Sequence, residues 1–212
     1  MDIYLPKVLV IVIVSYLIGS FPTAFLVAKL RNINIFEYGS GNMGATNVIR
    51  AMGLVWGIIV WFFDSLKAVI AIWIASQIMP ENHALATVIA AVCAIAGHNW
   101  SLFVALITGT IRGGKGAATA FGTLFMIVPF YVIAAMLVVG GFVIALTRYV
   151  SLAVLLMFGL AITWMIVLVS QQIISWEYAV YSILLALLIY VRFRENIQRL
   201  RAGTERRLGE SA

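Results

Sequence analysis

The run from Val8 to Ala28 carries no charged side chain, and its length constrains the fold more than any other feature of the sequence. A helix needs roughly 20 residues to cross a hydrocarbon core about 30 Å thick. Because backbone polar groups cannot stay unpaired in lipid, a segment of this kind must be helical. Both Asp2 and Lys7 precede it, unlike the basic start of a signal peptide, so we expect an uncleaved span.

Further apolar runs predict an all-α, polytopic membrane protein with about seven transmembrane helices. Hydrophobic residues make up 64% of the chain and charged residues 10%, far from the balance of a soluble domain. Residues 116–147 form either one long helix or two short helices that break at Pro129. No internal repeat or linker is visible, so we expect a single domain over residues 1–212. The predicted spans are 5–29, 55–78, 84–105, 117–128, 130–147, 150–169 and 174–192.

Charge placement predicts the direction of these spans. With seven spans and the amino terminus outside, all 14 Lys and Arg residues except Lys7 and Lys67 lie on the cytoplasmic side. The positive-inside rule favours this arrangement, which makes the carboxy terminus cytoplasmic. We therefore attribute the net charge of +6 to topology and to contact with anionic lipid, and we expect no nucleic-acid partner.

The segment Gly39–Arg50, GSGNMGATNVIR, follows the first predicted span and is called the first glycine loop. Small residues allow backbone N–H groups to converge on an anion, and Ser40, Thr46 and Asn47 add side-chain donors. Arg50 adds a planar cation suited to phosphate. A plain loop that caps the next helix is the alternative. The candidate phosphate-binding residues of this loop are Ser40, Gly41, Asn42 and Arg50.

The segment IRGGKGAAT, residues 111–119, is the second glycine loop. Its glycines permit close approach to an anion, with Lys115 as a point charge and Thr119 as a further donor. Residues 109–115 fit part of a nucleotide-binding P-loop, but Gly116 replaces the Ser or Thr that holds magnesium, and no strand precedes it. We therefore exclude nucleotide hydrolysis and keep phosphate binding. The candidate residues are Gly113, Gly114, Lys115, Gly116 and Thr119.

Other polar residues stand out within the apolar background. His98, in GHNW near the end of the third span, is either a packed structural residue or a group that orients a substrate or accepts a proton. Asp64 and Lys67 lie three residues apart on one helix face and predict a mutually neutralised pair. With Cys93 as the single cysteine, a thiolate metal site is excluded, and we predict no metal or cofactor.

The two glycine loops, GHNW, and RFRENIQRLRAGTE at residues 192–205, the tail motif, together resemble the signature regions of a known family. This is the bacterial acyl-phosphate:glycerol-3-phosphate acyltransferase family, whose FxDxLK stretch is matched by Phe62, Asp64, Leu66 and Lys67. The resemblance covers nearly the whole chain. It implies a seven-span enzyme of the bacterial inner membrane with its active site facing the cytoplasm. It also implies acyl transfer from acyl phosphate to glycerol 3-phosphate, giving lysophosphatidic acid, without CoA, acyl carrier protein or an obligate protein partner.

Site residues carry over by position. The active-site serine and arginine of the family fall on Ser40 and Arg50, its histidine on His98 and its tail asparagine on Asn196. The family glycines and lysine fall on Gly113, Gly114, Gly116 and Lys115. One departure is the segment between His98 and Gly113, where the family has about nine residues and this chain has NWSLFVALITGTIR, five residues longer.

The chemistry implied by this resemblance suits the residue types. Two phosphorylated substrates require two anion pockets, one at the second glycine loop with Lys115 and one formed by Arg50, Ser40 and Asn196. Acyl phosphate is an activated anhydride, so positioning and charge neutralisation supply much of the rate, and a serine acyl-enzyme is disfavoured. The alternative is a small transporter of a phosphorylated or anionic solute. Such proteins usually place polar groups near the midplane and often show inverted repeats.

Overall fold

The structure is a computed structural model that describes residues 4–210, and these residues form ten α-helices. The part of the chain so described has no strand beyond an isolated β-bridge between Ser101 and Arg112. Short 3-10 turns cover Ile35–Glu37 and Pro80–Asn82. The helices are α1 (Tyr4–Ser20), α2 (Thr23–Leu30), α3 (Ala45–Met52), α4 (Leu54–Ile78), α5 (His83–Asn99), α6 (Leu102–Thr108), α7 (Ala117–Ile127), α8 (Phe130–Thr147), α9 (Val150–Ser170) and α10 (Glu177–Arg201).

Five helical segments within the described residues are long and apolar enough to cross a membrane. Helix α7 is apolar but shorter, and α10 is apolar until Val191 and then becomes basic. The prediction of an all-α protein with several membrane spans is therefore confirmed. The five segments are Tyr4–Leu30, Leu54–Ile78, Pro80–Asn99, Phe130–Thr147 and Val150–Ser170.

Two predicted boundaries are changed or decided by the structure. The third span does not reach residue 105, because α5 ends at Asn99 and α6 is a separate short helix. The apolar residues of α6 continue the hydropathy signal across the turn, which explains the error. Residues 116–147 form two helices, as one of the alternatives predicted, with Pro129 directly before α8.

The chain folds as two compact units, the first ending at Met126 and the second beginning at Ile127. In the first unit, small side chains allow the long helices to approach closely, as is common between membrane helices. A side chain at Gly19 would overlap the backbone of Ala94, and Ala68 and Ala71 pack with Ala94 in a buried cluster. This close packing fixes the end of α5, where His98 lies, against α1 and α4.

The first span is interrupted at Phe21 and Pro22, which separate α1 from α2. Because proline has no N–H group, the last carbonyls of α1 need partners from outside the helix. The Ser101 hydroxyl donates to the Ser20 carbonyl at 2.5 Å, and Lys67 Nζ donates to the Phe21 carbonyl at 3.2 Å. The helix break thus brings polar side chains together inside an apolar unit.

The second unit consists of α8, α9, α10 and the segment that follows α10. Arg148, at the end of α8, has φ +61 and donates from Nε to the Leu208 carbonyl at 2.9 Å. Leu208 N in turn donates to the Arg148 carbonyl at 2.7 Å. These hydrogen bonds hold the end of the chain against the connection between α8 and α9.

Candidate active site

A single buried side chain determines the shape of the first glycine loop. Asn47, 2% exposed at the start of α3, accepts from Ser40 N at 3.0 Å through Oδ1. Its Nδ2 donates to the carbonyls of Ile35 at 3.2 Å and Asn42 at 3.0 Å. One amide hydrogen therefore serves the loop and the other serves the turn that precedes it, and the expectation that Asn47 offers donors to an anion is wrong.

The same loop brings two predicted site residues to one place. Gly39 and Gly41 have φ values of +51 and +64, a conformation that favours glycine, on either side of the exposed Ser40. Arg50 lies in the last turn of α3, and its Cδ is 3.5 Å from the position that a Cβ would occupy at Gly39. Asn42 Nδ2 donates to the Ser40 carbonyl at 3.2 Å. Ser40 and Arg50 are thus neighbours, although ten positions separate them in the sequence.

The second glycine loop is shaped by close contact with the end of α5. Gly114 N donates to the His98 carbonyl at 3.0 Å, and a Cβ at Gly114 would overlap the His98 ring at Nε2. A Cβ at Gly113 would overlap the carbonyls of His98 and Asn99. Gly116 has φ +77, and a Cβ there would lie 2.7 Å from Asn99 Oδ1. Each of these glycines is therefore required by space, by backbone conformation or by both.

The loop leads directly into the amino terminus of α7, where backbone N–H groups favour an anion. Lys115 lies within it and is half-buried. Thr119 is 0% exposed, and its hydroxyl has no hydrogen-bond partner within residues 4–210. Asn99, also buried, has both amide atoms without such a partner in the same range. Asn99 was not among the predicted site residues, although it lies in the GHNW motif.

The longer segment between His98 and Gly113 does not separate these residues. Ser101 N donates to the Arg112 carbonyl at 3.1 Å, which closes the base of the segment. The residues between them form α6, which Ser101 caps through Val104 N at 3.3 Å and Gly109 ends with φ +73. The extra residues thus form a small helical lobe.

The structure brings both glycine loops together within the first unit. The Arg112 guanidinium lies 4.9 Å from the centre of the Phe36 ring, and a Cβ at Gly41 would be 3.1 Å from the Phe36 carbonyl. Met43 of the first glycine loop and His98 also line the same narrow pocket. Both glycine loops therefore belong to the first unit, and each has residues near His98.

A buried polar cluster lies on the opposite edge of the His98 ring from Gly114. Lys67 Nζ is 2.7 Å from His98 Nδ1 and 2.9 Å from Asp64 Oδ1. Asp64 Oδ1 also accepts from the Thr23 hydroxyl at 3.0 Å. The predicted Asp64–Lys67 pair is confirmed, and it has an additional partner in His98 that the sequence did not indicate.

Asn196 lies in the second unit, buried on α10. Its Nδ2 donates to Glu205 Oε1 at 2.6 Å, and the same oxygen accepts from the Ser151 hydroxyl at 2.9 Å. Arg199 Nε donates to Glu205 Oε2 at 2.8 Å. Burial alone would raise the pKa of Glu205, but the hydrogen bonds from Arg199, Asn196 and Ser151 outweigh it and lower the pKa.

Sequence comparison assigns this arrangement to a family. The family profile described as glycerol-3-phosphate acyltransferase matches residues 9–203. The chain belongs to the glycerol-3-phosphate acyltransferase family. It is 43% identical over 202 residues to a glycerol-3-phosphate acyltransferase of Thermus thermophilus, with 94% of each chain covered. It is 39% identical over 203 residues to that of Halalkalibacterium halodurans, again with 94% of each covered.

Solved structures of a family member agree in fold with the whole chain. Two crystal structures of PlsY (YgiH), described as an integral membrane glycerol 3-phosphate acyltransferase, are 34% identical to it. The glycerol 3-phosphate form has a TM-score of 0.82 and covers 95% of this chain and 96% of its own. The lysophosphatidic acid form has a TM-score of 0.80 and covers 95% of each. The chain is thus a multi-pass membrane protein of this acyltransferase family.

Proposed function

We propose that this protein transfers a fatty acyl group from acyl phosphate to glycerol 3-phosphate, giving lysophosphatidic acid and inorganic phosphate. The observation that carries the proposal is the placement of two glycine loops in one unit, the second packed against His98 and the first reaching the same pocket through Met43. Family membership and the glycerol 3-phosphate and lysophosphatidic acid forms of PlsY support the same acceptor and product.

In the proposed reaction, a hydroxyl oxygen of glycerol 3-phosphate forms a bond with the acyl carbonyl carbon and gives its proton to a phosphate oxygen of the substrates. The bond between that carbon and the phosphate oxygen breaks, and phosphate leaves with the bonding electrons. Because the donor is already an activated anhydride, positioning and neutralisation of charge provide much of the acceleration. No metal ion, coenzyme or separate acyl carrier is needed for this balance.

In this proposal, the phosphate group of each substrate is bound by a positively charged side chain and by backbone N–H groups. Gly113, Gly114 and Gly116, with Lys115 and the start of α7, would hold one phosphate, and Thr119 would support that helix end. Arg50, with Ser40, Gly41 and Asn42 beside it, would hold the other. His98 and Ser40 are the groups of the first unit proposed to touch the reacting atoms, and the role of Asn196 stays a prediction from the family resemblance.

Topology completes the proposal. The helices at Ala117–Ile127 and Glu177–Arg201 would join the five long apolar segments as sixth and seventh spans. The amino terminus would then lie outside the bacterial inner membrane, and the glycine loops and the tail would face the cytoplasm. Residues 1–212 would work as one acyltransferase domain. A reporter fused at residue 148 should signal from the cytoplasm, and an external signal would contradict seven spans.

The deciding experiment uses purified full-length protein in detergent, acyl phosphate and labelled glycerol 3-phosphate, with a chelator and without CoA. We expect lysophosphatidic acid and inorganic phosphate in equal amounts, and no product when acyl-CoA replaces acyl phosphate. Absence of lysophosphatidic acid would refute the enzyme. Because detergent solution has no compartments, product formation there could not come from a transporter, which is the alternative function.

A further inference from the structure

We infer that Lys67 and Asp64 are positioning residues that hold His98 as a neutral imidazole with its proton on Nε2. His98 then acts as a hydrogen-bond donor at the second glycine loop and does not serve as the base. The role of this donor in turnover rests on the proposed acyl transfer, whereas the state of the ring does not.

Lys67 lies among three groups that can accept a hydrogen bond. An ammonium group has three N–H donors and no acceptor. Lys67 Nζ has three partners in reach, namely Asp64 Oδ1 at 2.9 Å, the Phe21 carbonyl at 3.2 Å and His98 Nδ1 at 2.7 Å. A carboxylate and a carbonyl can only accept, so the third ammonium hydrogen points to Nδ1, which must be unprotonated to receive it.

The shared proton lies on Lys67. An amine binds a proton more strongly than an imidazole does. Asp64, adjacent to Lys67, further favours the charged amine. Placing the proton on Lys67 leaves one negative charge, one positive charge and a neutral ring, which is the balance a buried cluster requires. An imidazolium beside the Lys67 ammonium would put two positive charges 2.7 Å apart.

The position of the hydrogen on the His98 ring follows from the hydrogen bond at Nδ1. With Nδ1 accepting from Lys67, the neutral His98 ring carries its hydrogen on Nε2. Nε2 is the ring atom nearest to Gly114, where a Cβ would overlap it. A donor at this place can stabilise a phosphate or a developing oxyanion at the second glycine loop. The ring has no lone pair left on Nε2 to accept the substrate hydroxyl proton.

A purely structural role for Lys67 is the alternative, because it also satisfies the Phe21 carbonyl at the break between α1 and α2. Ser101 provides a matched comparison. Its hydroxyl satisfies the neighbouring Ser20 carbonyl at the same break, and no hydrogen bond joins that hydroxyl to the His98 ring among the described residues. Loss of Ser101 should therefore reproduce the structural effect of losing Lys67 and leave the ring state unchanged.

The test reads the ring nitrogens directly by 15N NMR of histidine-labelled, full-length protein in detergent. The chain has two histidines, so the His83→Gln variant isolates the signals of His98. We expect one unprotonated nitrogen at Nδ1 and one protonated nitrogen at Nε2. A protonated Nδ1, alone or together with Nε2, would overturn the inference, and this measurement needs no change at Lys67.

Substitution at Lys67 then tests cause. In Lys67→Met, Asp64 Oδ1 becomes the charged group nearest to Nδ1, at 3.7 Å, so we expect a proton to move onto Nδ1. Ser101→Ala should lower thermal stability and keep the wild-type ring signals. Unchanged His98 signals in folded Lys67→Met would show that Lys67 does not set the ring state.

Kinetics link the ring state to turnover. We expect Lys67→Met to lower kcat about 10- to 100-fold, as when the hydrogen-bond partner of a metal-ligating histidine is lost. Since Lys67 acts through His98, the Lys67→Met, His98→Ala double variant should be no slower than His98→Ala alone. Additive losses would refute the positioning role. If wild-type protein makes no lysophosphatidic acid, the proposed function is wrong. The NMR measurement still tests the protonation of the His98 ring, because it does not depend on activity.

Discussion

The two glycine loops share a composition but owe their shapes to different physical causes. The first is organised by the Asn47 amide, which joins two of its backbone groups to the Ile35 carbonyl of the preceding turn. The second is pressed against α5, so its glycines are needed because His98 and Asn99 leave no room for side chains. Glycine richness therefore does not define one kind of anion site. In the first loop glycine supplies conformation, whereas in the second it mainly supplies space.

The largest expected effect is in the second loop. Gly114→Ala would place a methyl group on the His98 ring, so the ring or the loop must move. Since displacement of about 1 Å can cost 10²-fold in rate, we expect kcat/KM for acyl transfer to fall at least 100-fold. Gly141→Ala, in α8, has nothing within 4 Å and is the matched control, with near-normal activity. Normal turnover of Gly114→Ala would contradict the contact between loop and ring.

The next effect separates the substrates bound by the two loops. Lys115→Ala and Arg50→Ala each remove a charge-assisted contact of about 1.5–3 kcal/mol, so an apparent KM should rise about 10- to 150-fold. We expect the two variants to affect different substrates, measured by varying acyl phosphate and glycerol 3-phosphate in turn. An increase for the same substrate in both variants would show that the loops form a single pocket.

A smaller effect tests the internal order of the first loop. Asn47→Asp keeps an acceptor for Ser40 N but removes the donors to the Ile35 and Asn42 carbonyls. We expect a loss of about 2–4 kcal/mol in stability, seen as a lower thermal unfolding temperature, and about a tenfold loss of activity. Thr46→Val, at the adjacent position in the first turn of α3, serves as a control for the unfolding temperature. Wild-type stability in Asn47→Asp would mean that the loop does not depend on this amide.

The smallest expected effect is in the tail motif, which is held by the Glu205 carboxylate and not by glycine. Because hydrogen bonds lower the pKa of Glu205 in the folded state, its stabilisation is present above the unfolded value of about 4.3. It is lost as the pH falls through the folded pKa. Glu205→Gln should therefore unfold more easily at neutral pH, by about 1–3 kcal/mol.

Thermal unfolding at a series of pH values checks this sign. The difference in stability between wild type and Glu205→Gln should shrink as the pH falls below about 4. The wild-type carboxyl is then protonated and carries no charge, like the amide that replaces it. A difference that stays constant with pH would show that the Glu205 charge contributes nothing.

Much of the architecture follows from the sequence because membrane spans are read from local composition. The break at Pro129 and the all-helical class belong to this group. The contact of Lys67 with His98 does not, since 31 positions separate them and only the packing of α4 on α5 brings them together. The end of α5 at Asn99 was missed for a related reason, because hydropathy is insensitive to a turn between two apolar helices. Motif residues were therefore predictable, and their partners were not.

Ser101 and Arg112 are joined by a β-bridge. The distance between His98 and Gly113 therefore does not depend on the length of the α6 segment between them. Longer closed loops cost little additional entropy, so this segment can gain or lose residues without moving the chemistry. An epitope tag or a fluorescent amino acid placed near Gly109 should report on binding while the enzyme continues to turn over. The same tolerance makes the lobe a natural site for variation among enzymes that keep an identical core.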